Sequence, residues 1–209
     1  CAQIFALLEE LGVCAEAELY EAAANTPFDY DFLKGVPYGE KNRLEGYLFP
    51  DTYEFYISND VKAVPGERAE QVLVKFLDNY EKRFDGNLRE GIDELNGKLR
   101  EKMTAEGFTA EEIEAAMMDE NKIVIVASLI EKESAAVSES DTIASVIYNR
   151  LCSKNYPLLE IDASVLYALG EHKESLTSQD LMVDSPYNTR RYPGLPAGPI
   201  ANPGLGSIR

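Results

Sequence analysis

The sequence predicts an α+β fold: a mainly helical domain with short strands and a long Pro/Gly-rich loop, preceded by a small helical appendage. Three observations lead there. Apolar residues recur at helical spacing over most of the chain, as in Leu73, Phe76, Leu77, Tyr80 and Phe84. One stretch, "LEGYLFPDTYEFYI" (44–57), places Tyr53, Phe55 and Ile57 at period two and is broken by Pro50, which reads as strand, turn, strand. Another, "SPYNTRRYPGLPAGPIANPGLG" (185–206), is too rich in Pro and Gly for a regular element and reads as a shaped loop.

Taken in order, Ile4, Phe5, Leu8 and Leu11 mark a first short helix ended by Gly12, and Leu19, Ala22 and Ala23 a second. These make the appendage, residues 1–39. Within residues 40–209, Leu88, Ile92, Leu95 and Leu99 form a helical stripe after the one at 73–84, and Thr109 with Glu112 forms a capping box for a short helix. A central helix is expected from about Asn121 to Val137. Ser138 and Asp141 repeat the capping spacing before a helix carrying Ile143, Val146, Ile147 and Leu151. "YPLLEIDASVLYAL" (156–169) reads as a short extended piece followed by a helical turn.

Composition narrows the chemistry. The 209 residues are 45% hydrophobic with a formal net charge of −17, enough for a core and opposite in sign to a nucleic-acid footprint. No apolar run reaches the roughly 18 residues of a membrane span. The chain opens without Met on a helical pattern, which reads as an excised piece of a longer protein. Cys1, Cys14 and Cys152 have no metal-ligand spacing, and His172, the only histidine, lies in the polar "GEHKES". No metal or cofactor is expected. Carboxylates are left to do the work.

Two of them stand out in "ASLIEKES" (127–134). At about 100° per residue, Glu131 and Glu133 lie about 160° apart around a helix. Glu131 stacks over Ser128, Ala127 and Val124 and is expected to lean into solvent. Glu133 lines up with Val126, Leu129, Ile130 and Val137 on the apolar stripe. There, desolvation would favour the protonated carboxyl and suit a general acid. A plain surface glutamate beyond the end of the stripe is the alternative.

"ASLIEKES", "IASVIYNRL", "LEIDASVLYAL" and "YNTRRYPGLPAGPIANPG", with "LEGYLFPDTYEF" upstream, together resemble the endolytic murein transglycosylases, the MltG or YceG-like family, over roughly residues 40–209. The Glu-Ser pair 133–134 is similar to the catalytic Glu-Ser of lytic transglycosylases with a lysozyme-like site. The resemblance implies a lysozyme-like active-site helix with Glu133 as the single acid then base. It also implies cleavage of MurNAc–GlcNAc bonds within peptidoglycan strands to give 1,6-anhydroMurNAc ends. Asn188, Tyr187, Thr189, Glu160, Asp162 and Ser128 are the candidate substrate contacts. Asn188 offers a sugar acetamide both donor and acceptor or simply holds an Asx-turn, and Tyr187 stacks on a pyranose or fills the core. Family members often carry Gln where this chain has Glu160, which leaves its role open. Arg150 is expected to cap or to pair with a carboxylate.

The resemblance further implies an extracytoplasmic location, an N-terminal membrane anchor and LysM-like module upstream, an aromatic and histidine-containing continuation past Arg209, and cell-wall synthases (penicillin-binding proteins) as partners. A hydrolytic muramidase and a non-catalytic peptidoglycan-binding scaffold remain as alternatives.

Overall fold

The stripe at 73–84 becomes the buried face of a long helix, and the aromatic residues around it determine how the first third of the chain packs. In the computed structural model, which describes residues 1–55, 66–171 and 173–209, the chain forms two units, Cys1–Phe84 and Asp85–Arg209. Ile57, His172 and the side chain of Val137 lie outside what is described.

In the first unit, α1 (Ala2–Glu10) and α2 (Glu16–Asn25) form as expected, with Gly12 at φ 69° making the turn after α1. Phe5 meets Tyr20 edge to face at 4.9 Å. The long helix α3 (Glu67–Arg83) buries Ala69, Val72, Leu73, Phe76, Leu77 and Tyr80. Around Tyr80 gather Phe32, Tyr47 and Phe84, with ring centroids 4.5, 5.3 and 5.8 Å away.

The expected strands are absent: among the described residues no strand occurs. Residues 40–47 instead make successive tight turns, with Arg43, Glu45 and Tyr47 N–H groups donating to Glu40, Asn42 and Leu44 carbonyls. Tyr53 and Phe55 do share a face, but it lies against Phe76 of α3 at 4.2 and 6.1 Å. Aromatic burial on a helix satisfies the same alternation as a sheet, and Pro50 withholds a ladder donor. The described chain is therefore helical where α+β was expected. By packing, residues 40–84 group with the N-terminal helices in the first unit.

The second unit opens with α4 (Gly86–Ala105), capped by Asp85, whose carboxylate accepts from Asn87 and Leu88 N–H at 3.0 and 3.2 Å. The Thr109–Glu112 capping box starts α5 (Ala110–Ala116), with both reciprocal bonds made. The central helix α6 (Glu120–Glu133) is capped by Asp119 and ends four residues earlier than expected. Ser134 turns to an extended backbone, its N–H bonded to the Ile130 carbonyl and its hydroxyl to that of Ala136.

Ser138 is not the cap of the next helix, α7 (Ser140–Leu151). Glu139 occupies that position, and its carboxylate reaches back to the Ala135 N–H. Two shorter helices follow, α8 (Asp162–Leu169) and α9 (Leu205–Ile208), and residues 185–204 run between them in turns and bends. Every residue of α6 from Ile123 to Ile130 is buried, because α7, α8 and α9 pack around it. Among the described residues no helix is long and apolar enough to cross a membrane.

Candidate active site

Each of the four motifs carried by the second unit contributes to one apolar cluster. Val126, Leu129 and Ile130 of α6 meet Ile147 of α7, Leu159 and Ile161 from the segment before α8, and Ile200, all buried; Tyr167, Tyr187 and Leu195 pack against them. Burying each large aliphatic side chain contributes about 1.5–3 kcal/mol. Motifs spread over some seventy residues of sequence are thus held to a common centre, with the C-terminal turn of α6 leaving it.

Glu133 is the last residue of that helix. It is exposed, and among the described residues no hydrogen bond or ion pair engages it. The expected aliphatic wall around it is not there. The core covers α6 on every side as far as Ile130, and then the helix emerges, so Glu131, Lys132 and Glu133 all stand beyond the core's edge. The stripe ends before it reaches the glutamate.

Glu131 does not lean into solvent unengaged either. Its Oε2 accepts from the Ser207 hydroxyl at 2.6 Å and from the Gly204 N–H at 3.1 Å. One turn earlier, Ser128 is fully buried; its hydroxyl donates to the Ile125 carbonyl and accepts from the Ile200 N–H at 3.0 Å. A buried hydroxyl so occupied has nothing to offer a sugar. Ser128 joins residue 200 to the helix rather than touching substrate.

The triplet 187–189 and the segment 160–164 are knitted together. Thr189 is buried; its Oγ1 accepts from the Ile161 N–H at 3.0 Å and lies 2.8 Å from the Ser164 hydroxyl, while its carbonyl accepts from the Glu160 N–H. Asn188, also buried, spends its amide on the loop: Nδ2 donates to the Leu181 and Val183 carbonyls, and Oδ1 accepts from the Arg190 N–H. That is the Asx-turn alternative. Tyr187 packs on Tyr167 at 4.9 Å between centroids and lies so close to Gly198 that a Cβ there would sit 3.0 Å from its hydroxyl.

Glu160 and Asp162 are both exposed, and each is paired with an arginine. Arg150 reaches Glu160 at 2.6 Å and also donates to the Leu158 and Leu159 carbonyls, the carboxylate pairing expected of it. Arg190 reaches Asp162 at 2.5 Å. Glu160 has a left-handed backbone, φ 57°, unusual for a residue with a side chain, and its N–H bond to Thr189 and its pair with Arg150 hold it there.

No local pattern in the sequence marks Arg190, Gly204 or Ser207 as a partner of these carboxylates. Their partners lie between 28 and 76 residues away, beyond the reach of any local pattern. Among the described residues no group of three or more His, Cys, Asp or Glu could hold a metal ion. A cavity of about 620 Å³ opens in this unit, lined by Met103, Phe108, Met118, Lys122 and Leu195 among others, but by none of Glu131, Glu133, Glu160 and Asp162. Arg150, the partner of Glu160, also lines it, so the cavity borders that ion pair.

Comparison with known proteins agrees with the motifs. The model of the YceG-like family matches residues 1–209. An endolytic murein transglycosylase of Bacillus subtilis is 35% identical over 170 residues, covering 80% of this chain and 38% of that protein. One of Streptococcus pneumoniae is 28% identical over 198 residues, covering 92% of this chain and 30% of that protein. The chain therefore spans well under half the length of these curated relatives. A crystal structure of a yceG-like protein from Listeria monocytogenes superposes with a TM-score of 0.65 at 31% identity, covering 99% of this chain and 61% of that one. With the family model spanning every residue and a solved relative sharing its fold, the chain belongs to the YceG-like family.

Proposed function

We propose that the chain is the catalytic part of a peptidoglycan lytic transglycosylase that cuts MurNAc–GlcNAc bonds within glycan strands, with Glu133 as general acid and then general base. One observation carries the assignment of the residue. Of the four carboxylates supplied by the second unit's motifs, Glu131, Glu160 and Asp162 are each held by a hydroxyl, amide or guanidinium, and among the described residues only Glu133 has no such partner. The substrate class follows from the family and from its relatives, which are named as murein transglycosylases.

The chemistry needs a single carboxyl group. Protonated Glu133 gives its proton to the glycosidic oxygen as the C1–O bond breaks. The substrate's own 2-acetamido oxygen bonds to C1 and takes up the developing positive charge. The Glu133 carboxylate then removes the proton from the 6-hydroxyl, whose oxygen attacks C1 and displaces the acetamido oxygen, leaving a 1,6-anhydro ring and a protonated Glu133. Because Glu133 stands at the surface, the bound strand itself would exclude water from it. The segment 187–204, fastened through Thr189 and Ser128, would supply a firm wall beside the helix end. In the living cell we place this activity on the extracytoplasmic side of the membrane, near the cell-wall synthases; a topology reporter fused just before Cys1 that reads out in the cytoplasm would rule that out.

A hydrolytic muramidase would need a positioned water and usually a second carboxylate. Glu160 and Asp162, both arginine-bound, are poorly disposed for that. Mass spectrometry of sacculi digested with the full-length protein separates these readings. Anhydro ends are expected, and they should vanish with Glu133→Gln while the fold persists, the loss lying at or above the upper end of the range of about 10²–10⁴ for an acid–base group. Reducing ends in place of anhydro ends would establish the muramidase. Strand binding without products, unaltered in Glu133→Gln, would establish a scaffold.

A further inference from the structure

Ser128 and Glu131 are three residues apart, and so lie one above the other on α6. Both point at the same distant stretch of chain: Ser128 accepts from the Ile200 N–H, and Glu131 from the Gly204 N–H and the Ser207 hydroxyl. Residues 200–207 are thereby pinned along this line of the helix, and Ile208, buried, anchors the far side of the second pin.

What the second pin does for α6 follows from how the helix ends. Its last three residues, Glu131, Lys132 and Glu133, are exposed, so beyond Ile130 no apolar side chain holds the helix end to the core. The final turn of a helix frays readily because its carbonyls lack intrahelical partners. Here the main-chain restraint is the Ser134 N–H on the Ile130 carbonyl at 2.8 Å, and the side-chain restraint is Glu131. A carboxylate oxygen that accepts two hydrogen bonds makes charge-assisted contacts, stronger than those between neutral groups. Glu133 is two residues further on.

The geometry points to Glu131 as a positioning residue: its bonds to Gly204 and Ser207 fasten the last turn of α6 and so hold the direction in which Glu133 leaves the helix. This rests on the transglycosylase reading for its catalytic consequence, but not for its structural one. Because one oxygen, Oε2, receives both bonds, a glutamine can present an oxygen at the same place. An alanine cannot. The two substitutions therefore separate position from charge.

The test uses the full-length protein on soluble, uncross-linked glycan strands. Glu131→Ala should lower kcat by about 10–100-fold, the scale expected when a reacting group is misplaced by an ångström or so, with KM and the shape of the pH profile unchanged. Glu131→Gln should restore most of the loss. Ser207→Ala should lower kcat in the same sense, and combined with Glu131→Ala should add little. Amide hydrogen exchange gives a readout independent of catalysis: the Ser134 N–H should exchange faster in Glu131→Ala than in the wild type or in Glu131→Gln. A wild-type kcat in Glu131→Ala, or unchanged exchange at Ser134, overturns the proposal. So does equal loss in the Ala and Gln variants with an altered pH profile, which would make Glu131 an acid–base group. If the wild type makes no anhydro ends, the transglycosylase reading fails, and the exchange measurement still decides the clamp.

Discussion

Replacing Thr189 by valine removes one hydroxyl from the buried junction between 160–164 and 187–190 while keeping the shape of the side chain. In the native junction the Ser164 hydroxyl donates to the Ile161 carbonyl at 2.7 Å, the Thr189 hydroxyl is 2.8 Å from Ser164 Oγ, and Thr189 Oγ1 accepts the Ile161 N–H at 3.0 Å. Valine leaves that N–H buried without an acceptor, which costs about 1–3 kcal/mol, so a loss of about 2 kcal/mol is expected. Thr189→Ser keeps the network and removes only a methyl group, about 0.8 kcal/mol. The chain has no tryptophan, so urea unfolding is followed by far-ultraviolet circular dichroism. With slopes of about 1–3 kcal/mol per molar urea, Thr189→Val should lower the midpoint by about 1 M. A valine variant no less stable than the serine variant would refute the network as the source of the junction's stability.

Two further outcomes are expected. Gly198→Ala places a methyl group 3.0 Å from the Tyr187 hydroxyl and should destabilise by about 1–3 kcal/mol, with part of the loss recovered in Gly198→Ala/Tyr187→Phe, read by the same urea titration. Asp51 is held down to about 2 by the Thr52 N–H first, then by Arg83 and Asn79. Its folded value lies below the unfolded one, so its contribution to stability is present above the ordinary carboxylate range and is lost as pH falls towards 2. Thermal unfolding of Asp51→Asn should therefore show a flatter dependence on pH between about 4 and 2 than the wild type; an unchanged slope would contradict the assignment.

Much of this molecule is legible without coordinates because local rules decide it. The Thr109–Glu112 box starts a helix because both halves of the cap lie within one turn, and the stripe from Leu73 to Tyr80 buries one face because its period matches the helix. The family is legible for a different reason: several motifs recur in order along one chain. The same local reasoning fails at Tyr53 and Phe55, where alternation is spent on contact with Phe76 rather than on pairing with a strand.

Tertiary structure alone decided what each face of α6 meets. Periodicity states which residues share a side of a helix, but it is silent on what arrives to cover that side. Here the covering comes from all round as far as Ile130, so apolar spacing carried no information about where Glu133 would point. Ser128 and Glu131, on the side expected to be wet, are met by Ile200, Gly204 and Ser207, more than 70 residues on. Glu160 and Asp162 owe their orientation to Arg150 and Arg190 in the same way. A hydrogen bond closes when its two groups are brought within about 3 Å with suitable direction, and over such separations only the packed chain can do that.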